Sequence, residues 1–208
     1  MLACDAGARA PAERMIPDKP VRHNPFFGPL ARARQKAAET DQRVAISQQD
    51  MRSFVLPRPV ALVTCLYDSL NYMLTSSDLQ QVFDCVADSL HPGGAFMADM
   101  NTAVTLEQVW GNNTFFVEGN DLALILRSGH EPETGLSTVD IVGFVRGEEG
   151  LYSRFEEHHT EASYEESEVR SAFEVAGLQV EAAYECFGFL PPTAKTKRIM
   201  WVARRPTS

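Results

Sequence analysis

The chain is short of positive charge: 19 lysines and arginines stand against 28 acidic residues, for a net charge of -9 and a pI near 5.0. That balance repels phosphate backbones and argues against a general nucleic-acid binder. Cysteine is equally sparse. Cys4, Cys65, Cys85 and Cys186 are far apart and form no C-x-x-C pair, so they predict reduced core thiols of a cytoplasmic protein. No apolar run approaches the roughly 18 residues that cross a bilayer, which predicts no membrane partner. The start of the chain, with Asp5 inside a short apolar stretch, lacks the basic leader and apolar block of a secretion signal. Repeats of fixed period and low-complexity tracts are absent. The pair His158-His159 lacks the i, i+4 spacing of a zinc helix, so no metal is predicted.

What the chain has is enough apolar residue to build a core. A hydrophobic fraction of 44% and a charged fraction of 23% over 208 residues predict a single folded domain spanning residues 1–208. The strongest pattern is Val60-Ala-Leu-Val-Thr-Cys-Leu66, which reads as a strand buried on both faces of a parallel sheet. Polar residues Asp68, Ser69 and Asn71 bunch directly after it. In open α/β sheets, ligands bind beyond the carboxyl ends of the strands, so residues 65–72 are expected to floor a small-molecule site.

Flanking segments fit that reading unevenly. Residues 30–39 predict a helix, and 44–50 a strand ending in Asp50. Thr75-Ser-Ser-Asp78 supplies N-cap residues for a helix whose apolar positions are Leu79, Val82, Phe83, Val86 and Leu90; His91-Pro-Gly-Gly94 stops it. A strand follows over 95–100. Residues 115–162 change to a period near two, punctuated by turns at 119–121, 133–135 and 147–150, which predicts an antiparallel meander. Residues 164–176 read as an amphipathic helix with Val169, Phe173 and Ala176 inward, and 180–189 and 199–203 as closing strands. Residues 10–29 hold Pro11, Pro17, Pro20, Pro25 and Pro29, a density that interrupts helices and central strands where this fold needs one of each.

Taken together, Leu2-Ala3-Cys4, Gln49-Asp50-Met51-Arg52, the segment containing Asp68-Ser-Leu-Asn-Tyr72, Leu90-His-Pro-Gly-Gly94, residues 96–102 and residues 164–178 resemble a class I S-adenosylmethionine-dependent methyltransferase. Within that class the chain resembles bacterial small-molecule methyltransferases. The resemblance implies an α/β fold: a Rossmann-like sheet with an antiparallel β insertion after the fifth strand, over 112–162, covering the substrate. It also implies S-adenosyl-L-methionine as cofactor. Its glycine turn would fall on Cys4, Asp5 and Gly7, its ribose-binding acid on Asn24, and its adenine-binding pair on Asp50 and Met51. Cys65 and Leu66 would line the methionine portion, and Asp68, Asn71 and Tyr72 would border a small-molecule substrate. Asp5 replaces the first glycine of the turn, and Asn24 replaces the acid. Residues 1–29 are therefore expected to be a degenerate cofactor-binding segment, from a shifted reading frame or a decayed gene, with Met1 an internal start.

Methyl transfer from a sulfonium is an in-line displacement, so the protein mainly aligns the partners and needs no fixed catalytic triad. The catalytic residues stay unassigned, with His159, Glu157 and Tyr164 as candidates by resemblance. Strand alternation sends His158 and His159 to opposite faces, so one of them belongs to solvent. Glu156 and Glu157 read equally as a solvated face, and Asp68 as a turn cap. Two rival readings remain: a protein that has lost cofactor binding and serves as a binding module, and a nicotinamide-dependent oxidoreductase, which lacks its G-x-G-x-x-G fingerprint here.

Overall fold

A threonine starts the first packed helix. The Thr75 hydroxyl accepts from the Asp78 backbone N–H at 3.1 Å, satisfying a donor that the helix start leaves unpaired. The structure is a computed structural model and describes residues 35–39, 45–147 and 149–207. Strand β1 (Val60–Cys65) leads through a 3-10 turn, Ser69–Tyr72, into α1 (Ser76–Ser89), and α1 passes directly into β2 (Leu90–Asn101), parallel to β1. α1 buries Leu79, Val82, Phe83 and Val86, the stripe their spacing predicts. The His91-Pro-Gly-Gly94 segment lies inside β2 as slack in the ladder: Val60 pairs with Leu90, but Leu62 pairs with Ala95.

A seven-residue π-helix, Val104–Trp110, then leads into the antiparallel meander β3 (Thr114–Glu118), β4 (Leu122–Glu131), β5 (Leu136–Arg146) and β6 (Tyr152–Ala162). Its turns fall where the sequence predicts them. Gly143 faces Phe155 across β5 and β6, and the ring lies so close that an added Cβ would stand 2.0 Å from it. The chain returns through α2 (Glu166–Val175), β7 (Gln179–Glu185) and β8 (Arg198–Arg204). β8 inserts antiparallel between β2 and β7, giving the order β1-β2-β8-β7. Phe83 of α1 stacks on Phe173 of α2 at 4.1 Å, and both pack over Phe96 of β2, with Trp201 of β8 beside Phe173. Burial of these rings, each worth about 1.5–3 kcal/mol, fixes both helices on the sheet.

Two expectations are corrected. β1 is not buried on both faces: Leu62 is 52% exposed, because among the described residues only β2 pairs with β1. Residues 45–50 form no strand and enter no ladder with a described strand. There the Gln49 side chain serves the backbone instead, accepting from Val55 N–H at 2.8 Å and donating to its carbonyl at 3.2 Å. The helix expected over 30–39 is described only at 35–38. The proline-rich segment lies outside the described residues, as do Cys4, Asp5, Gly7 and Asn24. No helix among the described residues is long and apolar enough to cross a membrane.

Asn71 joins the two sheets. Fully buried, it donates to the carbonyls of Asn101 (3.0 Å) and Ala162 (2.9 Å) and accepts from the Asn101 N–H (2.9 Å). Asn71→Ala strands three buried polar groups, each costing about 1–3 kcal/mol. We expect a loss of about 3 kcal/mol in urea unfolding, against under about 1 kcal/mol for the exposed control Gln81→Ala.

Candidate functional site at the strand ends

The carboxyl ends of β1 and β2 and the start of β8 carry a cluster of unlike charges. The Arg198 guanidinium reaches Asp68 (2.9 Å), Asp99 (3.1 Å) and the side-chain oxygen of Asn101 (3.1 Å). Asp99 also accepts from the Asp68 N–H at 3.0 Å. This holds Tyr67 and Asp68 in left-handed backbone, φ 60° and 52°, a conformation unfavourable for tyrosine and tolerated by aspartate. Asp68 occupies the cap position of the 3-10 turn, but its side chain makes no capping bond, its Oδ2 accepting instead from Arg198 and Asn101.

The opposite wall is one face of the meander. Register pairs Leu126 with Phe115 and Ile141, and Val139 with Ser128 and His159, so these side chains share the face that looks onto the strand ends. Between the walls lies a cavity of about 270 Å³. Apolar Trp110, Phe115, Leu126, Val139 and Ile141 line one part of it, and polar Asp68, Tyr72, Ser128, His159 and Glu161 the other.

Alternation along β6 decides between the histidines. His158 turns outward and meets Asp140 at 2.6 Å, both side chains well exposed. His159 turns inward, with Nδ1 2.9 Å from the Tyr72 hydroxyl and Nε2 3.1 Å from Glu157. Burial, with the charges of Glu161, Asp68 and Glu157, pushes the Tyr72 phenol well above its usual range. The Glu157 carboxylate can only accept, which places the imidazole proton on Nε2 and leaves Nδ1 to accept from the Tyr72 hydroxyl. Glu156 faces solvent beside Arg154. Tyr164 does not line the cavity, and its hydroxyl bonds the Met73 carbonyl.

The sequence reading missed Glu161. It is buried in the cavity wall, sharing the Asn101 amide (3.2 Å) with Asp68 (2.8 Å). Burial, then the Asp68 charge, raises its carboxyl from 4.5 to about 7. The signal was present as the i, i+2, i+4 series Glu157, His159, Glu161 on one strand face.

On the other side of β1, Asp50 is gripped by Arg52, which donates to Oδ1 at 3.0 Å and Oδ2 at 2.7 Å and holds the carboxyl at about 2. Met51 is buried, its sulfur 4.0 Å from that of Cys65, while Leu66 at the strand end is 41% exposed. Among the described residues no group of three or more His, Cys, Asp or Glu is arranged to hold a metal ion.

This architecture defines an α/β protein with a small-molecule cavity at the carboxyl ends of parallel strands. No protein-family model matches the chain. It is similar to YqeM of Bacillus subtilis (strain 168), which carries the name of a methyltransferase: 26% identity over 177 residues, 85% of this chain and 71% of the relative. It is 29% identical over 144 residues to the dTDP-3-amino-3,4,6-trideoxy-alpha-D-glucopyranose N,N-dimethyltransferase of Streptomyces venezuelae, covering 65% of this chain and 57% of that protein. Among solved structures, an S-adenosylmethionine-dependent methyltransferase from Clostridium acetobutylicum ATCC 824 superposes with a TM-score of 0.80 at 29% identity, over 85% of this chain and 71% of that one. The chain is thus similar, at 26–29% identity, to S-adenosylmethionine-dependent methyltransferases and proteins named as methyltransferases.

The raised Glu161 carboxyl has a consequence for stability. Between pH 4.5 and about 7 the native state holds a proton that the unfolded chain has released, so stability falls as pH rises through that window and levels off above it. The difference amounts to roughly 3 kcal/mol at 1.36 kcal/mol per pH unit. Urea unfolding between pH 4.5 and 8 should show this decline in the natural protein and a flatter profile in Glu161→Gln.

Proposed function

We propose that the chain transfers a methyl group from S-adenosyl-L-methionine to an amine of a small molecule held in the cavity between the sheets. The observation that carries this is the pair of carboxyl groups, Asp68 and Glu161, beside Tyr72 and His159 in a cavity at the strand ends. Carboxylates favour a cationic head group, and a carboxyl raised to about 7 suits removal of its proton before the nitrogen attacks. The N,N-dimethyltransferase among the relatives supports a nitrogen acceptor.

The described residues fit the cofactor's nucleoside and sulfonium ends. The contact of Met51 with Cys65 brings the Asp50 loop against the end of β1, and the ionised, half-exposed Asp50 retains lone pairs for an adenine amino group. Cys65 and Leu66 would flank the methionine portion, and Met51 would sit beneath the ring. The cofactor supplies the electrophilic methyl when bound. Glu161 takes the ammonium proton, and Asp68 holds the head group. Tyr72, fixed through His159 to Glu157, positions that head group against the strand end.

Calorimetric titration with S-adenosylhomocysteine tests the reading. Saturable binding that weakens about tenfold or more in Asp50→Ala is expected, the loss of one charge-assisted bond being worth about 1.5–3 kcal/mol. No binding at millimolar ligand by folded protein would instead support the rival, a methyltransferase-like protein that no longer uses the cofactor. With an amine acceptor in hand, kcat/KM should rise about tenfold per pH unit below the Glu161 pKa and level above it. Glu161→Gln should lower kcat about 10²- to 10⁴-fold while leaving S-adenosylhomocysteine affinity unchanged.

A further inference from the structure

Behind Trp110 lies a second cavity of about 460 Å³, lined by Asn101, Thr105, Trp110, Arg198, Lys195 and Lys197, with Glu185, Cys186 and Phe187 on its other side. Trp110 lines this cavity and the first one, so the two are neighbours. Its charge is opposite to that of the chain. Lys195 and Lys197 are two of only four lysines in a protein of net charge -9. Arg198 spends its guanidinium on Asp68, Asp99 and Asn101. Neither lysine has an ion pair among the described residues, and Glu185 is the one acid in the lining.

The lysines stand on fixed backbone. Thr196, nearly fully buried, closes a turn by bonding Thr193, and the Lys197 carbonyl accepts from Thr102 N–H (3.1 Å) and the Thr105 hydroxyl (2.5 Å). Both exposed lysines thus extend from backbone held in place at the cavity edge. At the mouth, Phe187 is 91% exposed and held at φ 66°, a conformation an aromatic residue rarely adopts. The turn from Glu185 to Gly188, closed by a 3.1 Å hydrogen bond, keeps the ring in solvent, free to cover an organic group.

We propose that the second cavity is an oxyanion site of the phosphate class. Resting on the methyl-transfer reading above, it holds the phosphorylated tail of the acceptor whose amine lies in the first cavity. The acceptor would then be an amine and a phosphate carried on one organic frame that passes Trp110. Lys195 and Lys197 neutralise the phosphate, and Phe187 packs on the frame next to it.

The test is calorimetric titration at constant ionic strength with phenyl phosphate and inorganic phosphate, alongside S-adenosylhomocysteine on the same preparations. Phenyl phosphate should bind saturably, at least tenfold more weakly in Lys195→Ala/Lys197→Ala, whose S-adenosylhomocysteine affinity should not change. It should also bind more tightly than inorganic phosphate, with Phe187→Ala erasing the difference. Absence of saturable binding, or equal affinity in the double lysine variant, would overturn the site. Equal binding of the two phosphates would overturn the organic tail and leave a free-phosphate site. If S-adenosylhomocysteine binds and phenyl phosphate does not, this inference falls while the methyl-transfer reading stands. The reverse result keeps the oxyanion site and removes its assignment to a methyl acceptor.

Discussion

One guanidinium holds the site together. Arg198, at the start of β8, draws Asp68 from the end of β1 and Asp99 and Asn101 from the end of β2 into a single hydrogen-bonded cluster. Asp99 is nearly fully buried, and an unpaired charge there would cost several kcal/mol, so its pairing with Arg198 is what holds the cluster together. The cluster also sets shape. It keeps Tyr67 and Asp68 in left-handed backbone, which turns the chain sharply after β1 and brings Tyr72 to the cavity.

From that cluster the polarity passes outward through amides. Asn101 shares its side-chain N–H groups between Asp68 and Glu161, and Asn71 ties the same stretch of β2 to the end of β6. The meander is thereby anchored at the point where its acidic face meets the strand ends. Burial of Glu161 is the first cause of its raised carboxyl and the nearby Asp68 charge the second, while Arg198 lies beside Asp68. Asp68 is paired with Arg198, and Glu161 carries a raised pKa of the kind that suits proton transfer near neutrality.

The two cavities differ in charge along the same line. The first is acidic and half apolar; the second carries lysines with no ion pair among the described residues and an exposed ring. Trp110, at the end of an irregular π-helix, stands between them, and such helices often mark places where backbone regularity yields to function.

Much of this was legible in the chain. Helical spacing gave the buried stripe of α1 and the inward residues Val169 and Phe173, and turn chemistry placed all three connections of the meander. Those are local signals, set by periods of 3.6 and two residues and by glycine at turns. Alternation also showed that only one of His158 and His159 could face inward. Which one it was, and that Glu161 shares its cavity with Asp68 across 93 positions of sequence, depended on the packing of β6 against the strand ends. The same holds for Asn71, which reads as a substrate contact in sequence and serves as a buried tie between sheets. Exposure of β1 was likewise decided by which edges lie side by side. Sequence by itself determined most of the described helices and strands and the resemblance to methyltransferases, because these rest on short-range periodicity and motif order. Tertiary structure alone decided which charges are buried together, because burial and pairing are properties of the neighbours that folding supplies.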